Sequence, residues 1–259
     1  MSARSAARFT GRTVLVTGAG SGIGRAVALA FAAEGAKVAV AGRTLASLEE
    51  TVTLAGEAGG TAAAFTADVS RAEDVQALVA AVVARFGSLD VAVNNAGVLR
   101  GGGAALADLA PEDWRAMLDT NLTGVFLALR AEVAQMRAQE HGGAIVNIAS
   151  NLGAHKRFPG VAGYLTTKAA VSALTRAAAL DHIQDGVRIN AVSPGASATA
   201  MSLRAGESEA ERAVRMKEQS PLGRVSTTEE IAAAVLYLAS DDAASAVGTD
   251  LVIDGGAAA

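Results

Sequence analysis

The sequence predicts an α/β fold of the doubly wound type, in which helices cover both faces of a parallel, seven-stranded sheet. Short apolar runs alternate with longer stretches of helical period along the 259 residues. Because 51% of the residues are apolar and only 3% are aromatic, the core must consist of Ala, Val, Leu and Ile, which suits a buried parallel sheet under Ala-rich helices. Strict alternation of strand and helix implies parallel strands joined by right-handed crossovers.

The strands are predicted where short apolar runs are bounded by turn residues or by helical stretches. They are TVLVT (13–17), KVAVA (37–41), AAAFTA (62–67), LDVAVNNA (89–96), GAIVNIAS (143–150), VRINAVSP (187–194) and TDLVID (249–254). The helical stretches lie at about 22–35, 44–58, 71–86, 111–138, 163–184, 200–218 and 227–240. Two of them carry start signals, namely Pro111 followed by two acids, and STTEE at 226–230, which predicts a capping box.

No linker rich in Pro, Gly or Ser, no internal repeat and no long run of charge interrupts this pattern. We therefore expect a single domain over residues 1–259. Residues 1–10 are expected to form a loose tail. The stretch 195–218 mixes small residues with a charged helix, and we expect it to be the flexible part of the domain.

Charge and composition exclude several classes of partner. The formal net charge is −4 and no stretch concentrates Lys or Arg, which argues against a nucleic-acid partner. Without cysteine there is no disulfide framework, thiolate metal site or thiol nucleophile, and no metal site of another kind is predicted. No apolar run has the length of a signal peptide core or of a membrane-spanning helix, so we expect a cytoplasmic protein without a membrane partner.

A glycine-rich turn lies between the first predicted strand and the first predicted helix, in VLVTGAGSGIG (14–24). Its glycines allow backbone N–H groups to approach a pyrophosphate, whose charge the helix N-terminus also stabilises. The spacing is G-x-x-x-G-x-G rather than G-x-G-x-x-G, so the position between strand and helix is what predicts a nucleotide site. The predicted contacts in this turn are Gly18, Ser21, Gly22, Ile23 and Gly24.

Five short motifs occur along the sequence, and their order is informative. They are T-G-x-x-x-G-x-G at 17–24, NNAG at 94–97, NLTG at 121–124, Tyr-x-x-x-Lys at 164–168 and SPG at 193–195. In order, and nearly in spacing, they resemble those of the short-chain dehydrogenase/reductase family, in its type of about 250 residues. The resemblance covers residues 10–256 and implies a seven-stranded Rossmann sheet, a nicotinamide cofactor and hydride transfer to or from a carbonyl carbon.

The end of the second predicted strand bears on which nicotinamide is bound. In dinucleotide folds an acid at this position binds the ribose 2′-hydroxyl of NAD. Here Gly42 takes that place and Arg43 follows, and an arginine can bind the 2′-phosphate of NADP. NADP(H) is therefore favoured, with NAD(H) as the alternative, unless Arg43 is only a solvated turn residue. Asp68, followed by Val69, resembles the family aspartate that binds the adenine ring; a helix N-cap would also explain it.

The remaining predicted cofactor contacts rest on the resemblance. They are Asn94, Ala96, Gly97, Pro194, Gly195, Ser197 and Thr199, together with Tyr164 and Lys168. The segment NNAG resembles the one that steadies the central sheet and lines the cofactor, although a simple strand-ending turn has the same composition. PGASATAM resembles the family turn P-G-x-I-x-T over the nicotinamide, with Ser197 in place of the apolar residue and Thr199 matching.

A proton donor is needed wherever charge develops on a carbonyl oxygen. Lys168 lies four residues after Tyr164, on the same face of a predicted helix, where its charge is expected to lower the pKa of the phenol. By resemblance, Ser150 binds the substrate oxygen and Asn121 holds a water of a proton relay, while Lys168 also binds the nicotinamide ribose. Alternatively, Ser150 only ends a strand and Asn121 only bends a helix.

Histidine is not expected to be the catalyst, because no carboxylate pattern in the sequence orients His141, His155 or His182.

The spacing from Ser150 to Tyr164 departs from the family. It is a step of 14, whereas about 13 is common, so Asn151 is the alternative occupant of the serine position. The extra residue falls in GAHKRFPG (153–160) and predicts a bulge beside the substrate entrance. Lys156 and Arg157 would then give some preference for anionic or bulky ligands.

The sequence thus predicts an NADP(H)-dependent oxidoreductase that interconverts a ketone and a secondary alcohol, with 195–218 as a lid over the substrate. A 3-oxoacyl-carrier-protein reductase and a non-catalytic nucleotide-binding scaffold are the alternatives. A small carbonyl or alcohol compound is the expected partner. The long helices at 111–138 and 163–184 resemble those that join subunits in the family, so a homotetramer is expected.

Overall fold

The computed structural model describes residues 7–259 and places all seven predicted strands in one sheet. Their bounds are β1 (Thr13–Thr17), β2 (Lys37–Gly42), β3 (Thr61–Thr66), β4 (Val91–Asn94), β5 (Gly143–Ile148), β6 (Val187–Pro194) and β7 (Asp250–Ile253). The order across the sheet is β3-β2-β1-β4-β5-β6-β7, and each neighbouring pair is parallel. The predicted doubly wound α/β fold with a seven-stranded parallel sheet is confirmed.

Helices connect the strands on both faces of the sheet. They are α1 (Gly22–Ala33), α2 (Leu45–Glu57), α3 (Ala72–Phe86), α4 (Pro111–Met117), α5 (Gly124–Arg137), α6 (Asn151–Ala154), α7 (Ala162–His182), α8 (Glu209–Gln219) and α9 (Thr228–Ala239). A π-helical turn, Leu118–Thr123, joins α4 to α5, so the three together form the predicted helix at 111–138. The short α6 leaves helical geometry at Leu152 and Gly153.

The strand order reverses after β3, because β4 pairs with β1 on the side away from β2. The loops that leave the carboxyl ends of β1 and β4 therefore run to opposite faces and leave a crevice between them. Open α/β sheets bind ligands at such a switch point. In this chain the glycine-rich turn follows β1 and the segment NNAG follows β4, so both border the crevice.

Aliphatic side chains fill the space on both faces of the sheet. On one face, α1 and α9 pack over the strands with Phe31, Ile231 and Val235 fully buried. On the other face, α3, α5 and α7 pack with Met136 and Ile145 among the buried residues. Each residue of β1 is buried, as expected for a strand covered on both sides.

The prediction of a helix at 200–218 is wrong in its first half. Helix α8 begins only at Glu209, behind a capping box of Ser208 and Glu211, and residues 200–202 form one 3₁₀ turn. The Arg212 guanidinium, from α8, donates hydrogen bonds to the Thr199 carbonyl (3.0 Å) and the Ser202 hydroxyl (2.9 Å), which fixes the preceding chain as a folded turn. The predicted starts at Pro111 and at the 226–230 capping box are confirmed.

The predicted loose tail, 1–10, falls partly outside the described residues, which begin at Ala7. Within the described part the prediction needs correction at Phe9, which is 3% exposed and packs edge-on against Phe31 at 4.7 Å between ring centroids. Arg8 pairs with Glu34 at 2.9 Å.

Over residues 7–259, no helix has both the length and the apolar composition that crossing a membrane requires.

Candidate active site

The glycine-rich turn after β1 is held so tightly that two of its glycines have no room for a side chain. A Cβ on Gly18, whose φ is +64°, would lie 2.9 Å from Ala96 Cα and 2.9 Å from Asn95 Nδ2. A Cβ on Gly24 would collide with the Gly18 carbonyl oxygen. The turn leads directly into α1 behind the exposed Ser21, its N-cap residue, and Ile23 lies in the first turn of the helix. Backbone N–H groups at a helix N-terminus are suited to bind an anion.

Asn95 and Thr17 tie this turn to the segment after β4, and the sequence did not predict their role. The Asn95 amide donates to the carbonyls of Thr17 (2.9 Å) and Gly18 (3.1 Å). In return the Thr17 hydroxyl accepts from the N–H groups of Asn95 (3.1 Å) and Ala96 (3.2 Å). The doubled asparagine of NNAG was the available signal. The two loops of the crevice therefore form one hydrogen-bonded unit.

The far end of the crevice brings together an arginine and an aspartate. Arg43 is exposed directly after β2, and Asp68 follows β3 in a half-buried turn. Hydrogen bonds from the Ser70 hydroxyl and N–H lower the pKa of Asp68, and the charge of Arg43 acts in the same direction. The N-cap of α3 is Arg71, so the alternative that Asp68 caps this helix is wrong. Val69 is buried beside Gly124 of α5, where a Cβ would lie 2.9 Å from Val69 Cγ2.

Gly97 links the cofactor side of the crevice to the polar residues around Tyr164. A Cβ on Gly97 would lie 3.4 Å from Asn121 Oδ1 and 3.5 Å from Lys168 Nζ. Asn94, three residues earlier, is turned away from this point and donates to Glu132 (2.9 Å) and Asn147 (3.0 Å) below the sheet. The segment 94–97 therefore contacts the buried polar core at one end and the candidate proton-transfer residues at the other.

The side chains of Tyr164 and Ser150 lie within hydrogen-bonding reach of each other. Ser150 follows β5, and Tyr164 lies in the first turn of α7, where it is 9% exposed. Burial raises the pKa of Tyr164 above its ordinary value, and a hydrogen bond with Ser150 opposes that change in part. The phenol is therefore protonated at neutral pH. The Ser150 oxygen also accepts from the Leu152 N–H at 3.1 Å as the N-cap of α6, so Ser150 has a structural contact besides the one with Tyr164.

Lys168 lies one helical turn after Tyr164, and its ammonium group is buried. Nζ donates to the Ile148 carbonyl at 2.7 Å and lies 5.9 Å from the centroid of the Tyr164 ring. Burial lowers the pKa of Lys168 to about 8. The expectation that Lys168 lowers the pKa of Tyr164 is wrong for the protein as described, because burial of the phenol dominates and the amine is not among the causes of the shift.

Asn121 lies in the π-helical turn between α4 and α5, so it does mark an irregularity of the helix. It is also fully buried, with Oδ1 accepting from the Val98 N–H (2.8 Å) and Nδ2 donating to the Val98 carbonyl (2.8 Å). Nδ2 lies 3.2 Å from the Thr167 hydroxyl as well. A π turn re-aims side chains and is frequent at functional sites. Here it turns an amide toward the backbone that follows Gly97.

The turn after β6 closes over the glycine-rich turn. Pro194 ends β6, and a Cβ on Gly195 would lie 2.6 Å from Asp254 Cβ, so this position requires glycine. Ser197 is buried and donates to the Gly195 carbonyl at 3.0 Å, so its hydroxyl is used within the turn. The methyl group of Thr199 would lie 3.2 Å from a Cβ on Gly22. Thr199 thus reaches the predicted pyrophosphate position.

The alternative that Asn151 replaces Ser150 is not favoured by the geometry. The Asn151 amide donates to Asp254 at 3.0 Å, away from Tyr164.

The expectation that no carboxylate orients the histidines is wrong. His141 contacts Asp90 at 2.6 Å, His155 contacts Asp250 at 2.9 Å, and His182 contacts Asp185 at 2.9 Å. For the first two pairs the partners are 51 and 95 residues apart in the chain, so no local pattern could reveal them.

Comparison with known proteins gives consistent matches over nearly the whole chain. A family model described as enoyl-(acyl carrier protein) reductase matches residues 18–258. Cyclohexanol dehydrogenase of Acinetobacter sp. (strain SE19) is 39% identical over 96% of this chain and 95% of its own length. The 3beta-hydroxysteroid dehydrogenase of Mediterraneibacter gnavus is also 39% identical, over 96% of this chain and 95% of its own. The crystal structure of a short-chain type dehydrogenase/reductase from Mycobacterium marinum superposes with a TM-score of 0.90 at 37% identity, covering 97% of both chains.

Proposed function

Because this chain belongs to the short-chain dehydrogenase/reductase family, and is therefore an NAD(P)-dependent oxidoreductase acting on a small alcohol or ketone, we propose that it uses NADP(H) and that Tyr164 is its general acid and base. The observation that carries this proposal is the pairing of a buried, protonated Tyr164 with Ser150, one helical turn from Lys168, whose Nζ lies beside Gly97.

The residues present fit a dinucleotide. The glycine-rich turn is a backbone cradle whose positions 18 and 24 exclude side chains, and it opens at the N-terminus of α1. Arg43 and Asp68 would hold the adenosine end, and Thr199 would close over the pyrophosphate. When bound, the nicotinamide supplies or accepts the hydride that converts ketone to alcohol or alcohol to ketone.

Tyr164 would supply the proton in ketone reduction. Its raised pKa keeps the phenol protonated at neutral pH, which is the form that can donate to a carbonyl oxygen. Ser150 would donate a second hydrogen bond to the same oxygen. The carbonyl oxygen of the substrate would then accept two hydrogen bonds in a buried site. Such bonds stabilise the developing negative charge most strongly where water is excluded.

Lys168 and Asn121 would support this proton transfer from the cofactor side. The Lys168 ammonium is protonated below about pH 8 and lies next to Gly97, where it could bind the ribose of the nicotinamide. Asn121 fixes the backbone at Val98, directly after Gly97. Its Oδ1 can accept a second hydrogen bond, so a role in holding a relay water is compatible with its contacts.

Cyclic secondary alcohols and the corresponding ketones are the proposed substrate class. Cyclohexanol dehydrogenase and a 3beta-hydroxysteroid dehydrogenase are, by name, enzymes for hydroxyl groups on rings. A 3-oxoacyl thioester, the alternative from the sequence, is the second candidate; the matching family model is named for a reductase of enoyl groups on acyl carrier protein, so an enoyl thioester is tested beside it. We also propose that 195–218 acts as the substrate lid, that residues 1–259 form one domain, and that the protein is a cytoplasmic homotetramer.

The test is turnover with a panel of cyclohexanone, a 3-ketosteroid, a 3-oxoacyl thioester and an enoyl thioester, followed by NADPH absorbance. We expect the cyclic ketones to be reduced, and Tyr164→Phe to lower kcat by about 10²–10⁴-fold, the usual contribution of a general acid. Tyr237→Phe, at an exposed tyrosine of α9, is the matched control and should leave kcat unchanged. Undiminished kcat in a folded Tyr164→Phe protein would contradict the mechanism, and NADPH binding without turnover of any panel member would favour a scaffold.

A further inference from the structure

The segment 151–158, here called the entrance segment, lies between the two residues that the proposed mechanism brings to one substrate oxygen. It follows Ser150 directly and ends shortly before α7, which carries Tyr164. A substrate oxygen bound by both hydroxyl groups would therefore lie near this segment. The segment also contains the extra residue of the Ser150-to-Tyr164 spacing. Its position therefore affects which molecules can enter.

Backbone hydrogen bonds close the entrance segment on itself. The Lys156 N–H donates to the Asn151 carbonyl at 2.7 Å, and the Gly153 N–H donates to the Lys156 carbonyl at 2.9 Å. Gly153 has φ +135°, a conformation that side chains rarely adopt. These hydrogen bonds make the segment a compact loop.

One side of the loop rests on α7. A Cβ on Gly153 would lie 2.7 Å from the Ala169 nitrogen and 3.0 Å from the Leu165 carbonyl, so the loop backbone packs directly on the helix that carries Tyr164 and Lys168. This contact is steric and sets how close the loop can come. It does not prevent the loop from moving outward.

The other side of the loop is bound to β7 through His155. Its Nε2 lies 2.9 Å from Asp250 Oδ2, and since a carboxylate only accepts, Nε2 is the donor. The Asp250 side chain is 6% exposed, and its other oxygen accepts from the Ser193 hydroxyl of β6 at 2.5 Å. Removing one hydrogen-bond donor from a buried carboxylate costs free energy of folding. This cost favours retention of the hydrogen bond from His155 to Asp250. Asn151 makes a parallel bond to Asp254 at the end of β7.

We propose that His155 is a positioning residue of the active site, which holds the entrance segment against β7 by donating to Asp250 and thereby sets the room available to a bulky substrate. Asp250 acts with it as the fixed acceptor. The kinetic part of this inference rests on the proposed function. The structural part, that His155 holds the segment, does not.

Limited trypsin digestion of the full chain tests the structural part, because Lys156 and Arg157 place two cleavage positions inside the entrance segment. We expect His155→Ala to be cut there about tenfold faster than wild type, the factor expected when one hydrogen bond is lost from a local opening. His155→Gln, whose amide can still donate to Asp250, should be cut at nearly the wild-type rate. His182→Ala is the matched control, since His182 makes an equal 2.9 Å contact to Asp185 far from this segment. Equal cleavage of His155→Ala and wild type would overturn the proposal.

Steady-state kinetics test the kinetic part. Because a released entrance segment no longer forms a fixed contact surface for a large substrate, His155→Ala should raise KM for a 3-ketosteroid about tenfold. The change for cyclohexanone should be smaller, and kcat and NADPH affinity should be unchanged. Asp250→Ala should give the same pattern, and the double variant should be no worse than either single variant. Faster cleavage with unchanged KM for each ketone would overturn the positioning role. If wild type reduces no ketone, the proposed function fails, and the trypsin comparison still decides whether His155 holds the segment.

Discussion

Tyr164 keeps its proton at neutral pH because burial raises the pKa of its phenol, and the hydrogen bond with Ser150 only partly offsets this. Reduction uses the protonated form, whereas oxidation of an alcohol needs the phenolate. We therefore expect kcat/KM for alcohol oxidation to rise with pH from about 6 to about 10. Ser150→Ala should move this profile to higher pH, because it removes the interaction that lowers the pKa. Ser88→Ala, at the opposite end of the sheet beside Asp90, should not move it.

Arg43 is the residue on which the cofactor preference depends. An arginine beside a 2′-phosphate makes charge-assisted, bidentate hydrogen bonds, which are worth about 1.5–3 kcal/mol. Fluorescence titration should show that Arg43→Ala weakens NADPH binding by about one to two orders of magnitude and leaves NADH binding nearly unchanged. Arg71→Ala is the matched control, because Arg71 is exposed and its charge also acts on Asp68. Equal affinity of the wild type for NADPH and NADH would show that the preference was assigned wrongly.

Individual residues could be predicted from the sequence where they belong to a local motif, and not where their partners are distant. The i, i+4 spacing of Tyr164 and Lys168 and the glycine spacing were visible in the chain. The direction of the Tyr164 pKa shift was not, since it depends on burial by surrounding elements. The partner of His155 lies 95 residues away, and that of Asn95 lies 77 or more residues away.

The elements were predictable where burial imposes a periodic pattern. The central strands β1 and β4 are fully buried because both faces of the sheet are covered there, and the Pro111 and Thr227 signals mark helix starts by local chemistry. The run at 200–208 has helical composition, yet hydrogen bonds from Arg212 and Arg215 of α8 hold it as a turn. The π turn at Asn121 likewise depends on contacts to Val98 and Thr167, which no periodicity expresses.

Helix α5 brings one carboxylic acid under the sheet. Glu132 is 1% exposed, its Oε2 accepts from Asn94, and its Oε1 and Asn94 Oδ1 have no partner among the described residues. Burial raises the pKa of Glu132 to about 7, against a smaller opposing effect of the Asn94 bond. A neutral acid carries a hydrogen that one of these oxygens can accept, so protonation suits the site.

Stability should therefore depend on the protonation of Glu132. Because the folded state holds this proton more tightly than the unfolded state does, the free energy of unfolding should fall as pH rises from about 4.5 to about 7. A shift of this size corresponds to a loss on the order of 3 kcal/mol. Glu132→Gln keeps the acceptor for Asn94 and removes the charge, so urea unfolding should show a shallower slope over this range and higher stability above it. Glu49→Gln, at an exposed position of α2, should retain the wild-type slope; an unchanged slope in Glu132→Gln would contradict the assignment.

At the scale of the whole molecule, the exposed faces of α5 and α7 bear on assembly. Phe126 is 50% exposed and Leu180 is 76% exposed on the two helices predicted to join subunits. Light scattering should give about four times the chain mass of 25.8 kDa for the wild type. Phe126→Arg with Leu180→Arg should lower this mass by disrupting the contact, whereas Leu54→Arg, on α2, should not. A monomeric wild-type protein would contradict the tetramer.

Strand β7 follows every other strand in the chain, yet Asp250 in this strand and Asp254 directly after it are bound by side chains from the middle of the sequence. During synthesis, the two loops proposed to bind the dinucleotide leave the ribosome long before Asp250 and Asp254 do. A nascent chain can thus assemble its nucleotide half first, while the segment beside Ser150 has no anchor until translation reaches the last strand. Premature termination just ahead of β7 would leave a polypeptide that has both loops proposed to bind the coenzyme but lacks the anchor of the segment beside Ser150.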